Sequence, residues 1–123
     1  MKLTNAEERV MKAIWKLNSG YMKDVLNELD GPKPASTTLA TLLKRLTDKG
    51  AVNYNQHGSN REYYPLIKKT EYFSGRLNVM IKDFFNNSSS QFASFFANET
   101  DMSVDELKEL KKIIEEKIDE NKI

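Results

Sequence analysis

The chain has 123 residues, 39% of them hydrophobic and 30% charged, with 19 Lys and Arg against 18 Asp and Glu. It contains no cysteine, which excludes disulfides, thiolate metal sites and cysteine nucleophiles. No apolar run reaches the about 18 residues that a membrane span needs, and the start, Met1 to Glu8, is acidic where a signal peptide would be basic. A cytoplasmic protein with no membrane insertion is therefore expected.

The near-zero net charge hides an asymmetry. Residues 1–70 hold 12 Lys and Arg against 7 Asp and Glu, a net +5, whereas residues 71–123 hold 7 against 11, a net −4. A basic front half joined to an acidic back half suits a nucleic-acid-binding module attached to a segment that does not touch nucleic acid. Two domains are expected, at 1–69 and 70–123.

The first helix is predicted over Asn5–Leu17. Thr4 is its N-cap and Glu7 the capping-box partner, and Val10, Met11, Ile14, Trp15 and Leu17 make its apolar stripe. Trp15, the only tryptophan, shares a face with Met11 and Ile14 and reads as a core anchor. Asn18-Ser19-Gly20 ends this helix, and Tyr21 is expected to form a very short strand. A second helix, Met22–Leu29, turns Val25, Leu26 and Leu29 inward. Gly31-Pro32-Lys33-Pro34 then breaks the chain.

Ser36 is expected to cap a third helix, Thr37–Lys49. Leu39, Leu42, Leu43 and Leu46 fall at i, i+3, i+4 and i+7, one buried stripe. Thr37, Thr38, Thr41, Lys44, Arg45 and Asp48 point away from it. Hydroxyl residues near the start of such a helix can approach base edges, and the cations further along can reach phosphates. Exposed helix positions rarely accumulate three threonines, which are mediocre helix formers. Ala51–Gln56 alternates as a half-buried strand, His57-Gly58-Ser59-Asn60 is turn chemistry, and Arg61–Leu66 is the return strand. Helix, break, helix and hairpin make the winged-helix plan, a device that places one helix in a DNA major groove with a wing alongside. The candidate DNA contacts are Ser36, Thr37, Thr38, Thr41, Lys44, Arg45 and Arg61. His57, the only histidine, has no cysteine or second histidine to share a metal with. No nucleophile–base pair, phosphate loop or metal-ligand spacing appears, so neither an enzyme nor a bound cofactor is expected.

Beyond Thr70 the character changes. Thr70 is expected to cap a helix reaching about Phe85, with Phe73, Leu77, Met80, Ile81 and Phe84 on one face. Asn86 to Ser90 interrupts it, and residues 91–97, with Phe92, Phe95 and Phe96, form a short aromatic helix. Ser103 caps a last helix, with Glu106 completing the box and Leu107, Leu110, Ile114 and Ile118 as its seam. Three such short amphipathic helices cannot bury their faces in one small layer. Homodimerisation is the expected resolution, through the faces carrying Phe73, Leu77, Met80, Ile81, Phe84, Phe92, Phe95, Phe96, Leu107, Leu110 and Ile114. The fold class is mainly α with a small β-wing: a winged helix-turn-helix plus a C-terminal helical dimerisation region.

Nearly end to end, the chain resembles the penicillinase-repressor (BlaI/MecI-type) family of bacterial transcription regulators. The resemblance is carried by Thr4 to Trp15, by Thr38 to Leu46 with Lys49-Gly50, by Tyr63-Tyr64-Pro65-Leu66, and by Asp101 to Leu110. It implies a homodimer that binds a two-fold-related operator and represses nearby genes, commonly those of β-lactam resistance or copper homeostasis. It also implies relief by a membrane sensor protease cutting inside the dimerisation region. On this chain the cut falls near Phe95–Phe96, where the best-known members carry asparagine in place of Phe95. Direct copper sensing is not expected, because that branch uses a C-terminal cysteine cluster. A recognition-helix position that is arginine in some relatives is Ala40 here, which leaves room for a different operator. A ligand-sensing regulator and a protein-docking winged helix are the other readings the residues leave open.

Overall fold

A computed structural model describes residues 1–122. Its elements run α1 (Asn5–Leu17), β1 (Gly20–Tyr21), α2 (Met22–Glu28), α3 (Ser36–Asp48), β2 (Val52–His57), β3 (Asn60–Pro65), α4 (Lys69–Phe84), α5 (Ser89–Glu99) and α6 (Val104–Glu120). The three strands form one antiparallel sheet in the order β1-β3-β2, with Gly20 opposite Tyr63 and Tyr54 also opposite Tyr63. This is the winged helix that the sequence order predicts. No helix among the described residues is long and apolar enough to cross a membrane.

The core lies between α1, α2, α3 and the sheet. Val10, Met11 and Ile14 from α1, Val25 from α2, the leucine stripe of α3, and Val52 and Tyr63 from the wing are all buried. Thr4 caps α1, with both halves of the capping box present. Trp15 packs against the core and donates its indole N–H to the Ile67 carbonyl at 2.9 Å, so it anchors the chain leaving the wing.

Several expected boundaries shift. Ala35, not Ser36, is the N-cap of α3 and supplies no side-chain bond, so Ser36 is the first helical residue. Thr70 likewise lies inside α4, which begins at Lys69. The backbone enters the helix earlier than the hydroxyl residue suggests, by one residue at Ser36 and by two at Thr70. Asn86 and Asn87 take left-handed φ values of 54° and 57°, which asparagine tolerates, and Ser88 caps α5. The aromatic helix therefore extends over Ser89–Glu99 rather than 91–97.

The chain divides into two compact units, Met1–Arg76 and Leu77–Ile123. The first unit takes in the start of α4, beyond the predicted break at residue 69. Tyr72 is the reason: it is buried, stacks within 5.9 Å of Trp15, and donates its hydroxyl to Glu8. Arg76 donates to the same Glu8 carboxylate at 2.7 Å.

Candidate nucleic-acid interface

A helix that reads DNA must be held rigidly from behind while its outer face stays free. The back of α3 is the stripe Leu39, Leu42, Leu43 and Leu46, all buried. Its start is set by the turn before it. Arg9 of α1 donates through Nε to the Asp30 carbonyl at 2.8 Å and also to the Pro32 carbonyl. Lys33 folds back to donate to the Leu26 and Asn27 carbonyls, each at 3.0 Å, satisfying the end of α2. Two cations that composition alone would assign to DNA are thus spent on the turn.

The end of α3 is closed equally firmly. Gly50, at φ +80°, lets its own N–H reach Thr47 and the Ala51 N–H reach Leu46 at 2.9 Å, a Schellman closure that needs the left-handed residue. Lys49 reaches back to α1, its ammonium donating to Glu7 Oε1 at 2.8 Å and lying 2.7 Å from Oε2. The hydrogen bond goes to Oε1, which leaves Oε2 buried in ionic contact without a hydrogen bond of its own. Burial pushes the Glu7 carboxyl up, but the hydrogen bonds from Lys49 and Thr4 and the ammonium charge outweigh it, so the acid is held below its ordinary range.

All seven predicted contact residues are exposed: Ser36, Thr37, Thr38, Thr41, Lys44 and Arg45 on α3, and Arg61 on β3. Their states differ. The Thr41 hydroxyl bonds back to the Thr37 carbonyl at 3.0 Å, so its donor is already engaged within the helix. Lys44 is paired with Asp48 at 3.1 Å, a solvated pair of little energetic consequence. Arg61 lies over the Tyr54 ring, 4.3 Å from its centre. The wing turn is only Gly58-Ser59, with Gly58 alone at positive φ, the pattern of a type II′ hairpin. His57 is consumed locally, 3.1 Å from Glu62 and edge-on to Tyr21.

Sequence reading missed the Glu7–Lys49 pair, the Arg9 and Lys33 clasps, and the Tyr72–Glu8–Arg76 group. One signal was available: Glu7 precedes Val10, Met11 and Ile14 by three, four and seven residues, so helical spacing puts it on the buried face. The arginine and lysine clasps carry no comparable signal, because their acceptors are backbone carbonyls.

The predicted dimerisation residues fall in both compact units. Phe73 belongs to the first, 46% exposed and 5.9 Å from the Trp15 ring. In the second unit Phe92 and Phe95 pack on Phe85 at 5.6 and 5.3 Å, and Phe96 lies 6.1 Å from Phe92. Phe84 is 79% exposed, and Leu77, Met80, Leu107 and Ile114 are also exposed, with Ile81 and Leu110 partly so. Neither α5 nor α6 has a buried residue.

The penicillinase repressor family model matches residues 3–116. The chain belongs to that family. It is 32% identical over 116 residues to the penicillinase repressor of Bacillus licheniformis, covering 94% of this chain and 91% of the relative. It is 25% identical to the methicillin resistance regulatory protein MecI of Staphylococcus aureus, covering 94% and 95%. Among solved structures, the DNA-binding domain of the repressor BlaI is 36% identical, with a TM-score of 0.52 over 58% of this chain and 88% of that one. The monomeric form of Bacillus licheniformis BlaI in complex with the blaP half-operator is also 36% identical, with a TM-score of 0.50 over 58% and 89%. By family and fold, then, the chain is a DNA-binding repressor of the winged-helix class.

Proposed function

We propose that the protein represses transcription as a homodimer, each chain placing α3 in one half of a two-fold-related duplex operator and setting its wing against the backbone. The observation that carries the DNA contact is the outer face of α3. It is polar, exposed and buttressed at both ends, and it stands on a chain of this family. The relative solved as a monomer on a half-operator supports one chain per half-site. Thr37, Thr38 and Thr41 would read base edges, while Ser36, Lys44, Arg45 and Arg61 would meet phosphates.

The dimer is supported by apolar surface with no cover. Exposed Leu77, Met80, Phe84, Leu107, Ile113, Ile114 and Ile118 form more bare hydrocarbon than a small monomer tolerates, and a second copy offers the same surface under two-fold symmetry. Linking two readers multiplies affinity, so losing the link forfeits the second half-site. That makes α5 a sensible place for relief by a membrane sensor protease. With no buried residue, α5 can open locally at small cost and present the Phe95–Phe96 bond in extended form. The relatives are named for penicillinase repression and methicillin resistance, so antibiotic-resistance and other stress genes are the first targets to search for the operator.

Selection from a random duplex pool, followed by light scattering on the free protein and its complex, tests this reading. Enrichment of an inverted repeat bound by two chains is expected. A folded, dimeric protein that enriches nothing would overturn it in favour of protein docking.

A further inference from the structure

We infer that Tyr54 is a positioning residue for DNA binding, holding the Arg61 guanidinium flat so that its N–H edge meets a backbone phosphate. This rests on the reading of the wing as a DNA contact. Tyr54 and Tyr63 are directly paired across β2 and β3, their rings 5.6 Å apart, and Tyr63 is part of the buried core. Arg61 precedes Tyr63 by two residues, so strand alternation puts both on the same face of the sheet. The three side chains form a ladder that starts in the core and ends in solvent at the guanidinium. Its Cζ lies 4.3 Å from the Tyr54 ring centre, inside the about 6 Å range of cation–π attraction.

A stacked guanidinium spends only its flat face on the ring, and its donors remain in the plane. Arg61 makes no hydrogen bond or ion pair of its own among the described residues, although Glu62 is its neighbour in sequence. That carboxylate is on the opposite face, 3.1 Å from His57 and accepting from the Ser19 hydroxyl at 3.4 Å. Gln56, opposite Arg61 in the register, uses its side-chain amide N–H on the Gly58 carbonyl at 2.9 Å. The neighbouring carboxylate is therefore engaged elsewhere, and the exposed Arg61 guanidinium is left facing solvent over its ring.

Because a phosphate contact does not depend on sequence, a labelled random-sequence duplex is the probe, with affinity read by anisotropy over a salt series. Arg61→Ala should weaken binding and lower the salt slope by about one. Tyr54→Leu should weaken binding about three- to tenfold, the size of a partly desolvated cation–π contact, while Tyr54→Phe, which keeps the ring, should not. In an Arg61→Ala background, Tyr54→Leu should have no further effect. Equal losses in both backgrounds would show that Tyr54 acts by packing alone and would overturn the inference. Arg61→Lys gives a test that leaves Tyr54 in place: it keeps the charge without the flat face and should bind nearly as weakly as Tyr54→Leu, whereas undiminished affinity refutes the stack. If Arg61→Ala changes neither affinity nor slope, the wing reading itself fails, a result that does not depend on Tyr54.

Discussion

The carboxylate of Glu7, 1% exposed, is held by the ammonium of Lys49, the residue that caps the end of α3. This pair joins the first turn of α1 to the far end of α3. Removing the cation alone strands a buried charge, whereas replacing the carboxylate by an amide does not. Lys49→Ala should therefore cost about 1–3 kcal/mol, scaled down from a fully buried pair because Lys49 is itself partly exposed. Glu7→Gln should cost less. The lowered acidity of Glu7 also sets a pH dependence. A carboxyl whose folded value lies below its ordinary 4.5 contributes stability that is present above 4.5 and is lost as pH falls through the folded value. Urea midpoints measured from neutral pH downward should fall more steeply for the natural protein than for Glu7→Gln. Parallel curves would show that Glu7 is not the group responsible.

Tyr72 makes a second tie, between α4 and the first turn of α1. Burial, and then its hydrogen bond to Glu8, push its phenol above the ordinary 10. A phenol raised in this way contributes stability below pH 10 that disappears as pH rises through the higher folded value. Tyr72→Phe leaves the Arg76–Glu8 pair in place and removes one hydroxyl, so a loss of about 0.5–1.5 kcal/mol is expected. Ultraviolet titration should show a late-ionising tyrosine component in the natural protein that Tyr72→Phe removes.

On α3 the two kinds of contact should separate experimentally. Arg45→Ala should weaken binding to every duplex and lower the salt slope by about one, as loss of a phosphate contact does. Thr41 differs because its hydroxyl is already bonded to Thr37, leaving the methyl to meet a base, most naturally a thymine methyl. Thr41→Val keeps that methyl and should preserve operator preference, whereas Thr41→Ala should change it. A uniform loss across sequences for Thr41→Ala would mean that the residue reads no base.

The architecture was legible because its signals are local and periodic. The leucine spacing from Leu39 to Leu46 allows one buried face, Gly31 to Pro34 can only be a break, and Thr4 with Glu7 announces a helix start. The missing parts are those in which a side chain crosses between elements. Nothing near Lys49 in sequence points to Glu7, forty-two positions away, and Arg9 and Lys33 bond to carbonyls, which leave no mark in composition. The candidate site was legible as a list of exposed residues but not as a set of states. That Arg61 is stacked, Thr41 back-bonded and Lys44 paired depends on geometry that periodicity does not carry. Boundaries such as Ser36 and Thr70 slipped because a hydroxyl residue suits the first helical turn as well as the cap.

The apolar faces of the second unit give the sharpest test of assembly. Phe84 at 79% exposure and Ile114 at 51% lie outside the buried core of the winged helix, so charging them should leave that unit standing. Phe84→Asp and Ile114→Asp should each keep the thermal midpoint of the winged helix. If these faces meet a second copy, each substitution buries an unpaired carboxylate at the contact, a large penalty, and sedimentation should find monomers where the natural protein gives dimers. Affinity for the full inverted repeat should then fall by about a hundredfold or more, the size of the lost avidity, while affinity for an isolated half-site stays unchanged. Dimers that persist in both variants would place the interface elsewhere. A half-site affinity that falls in parallel would show that the substitutions had damaged the reader rather than the link.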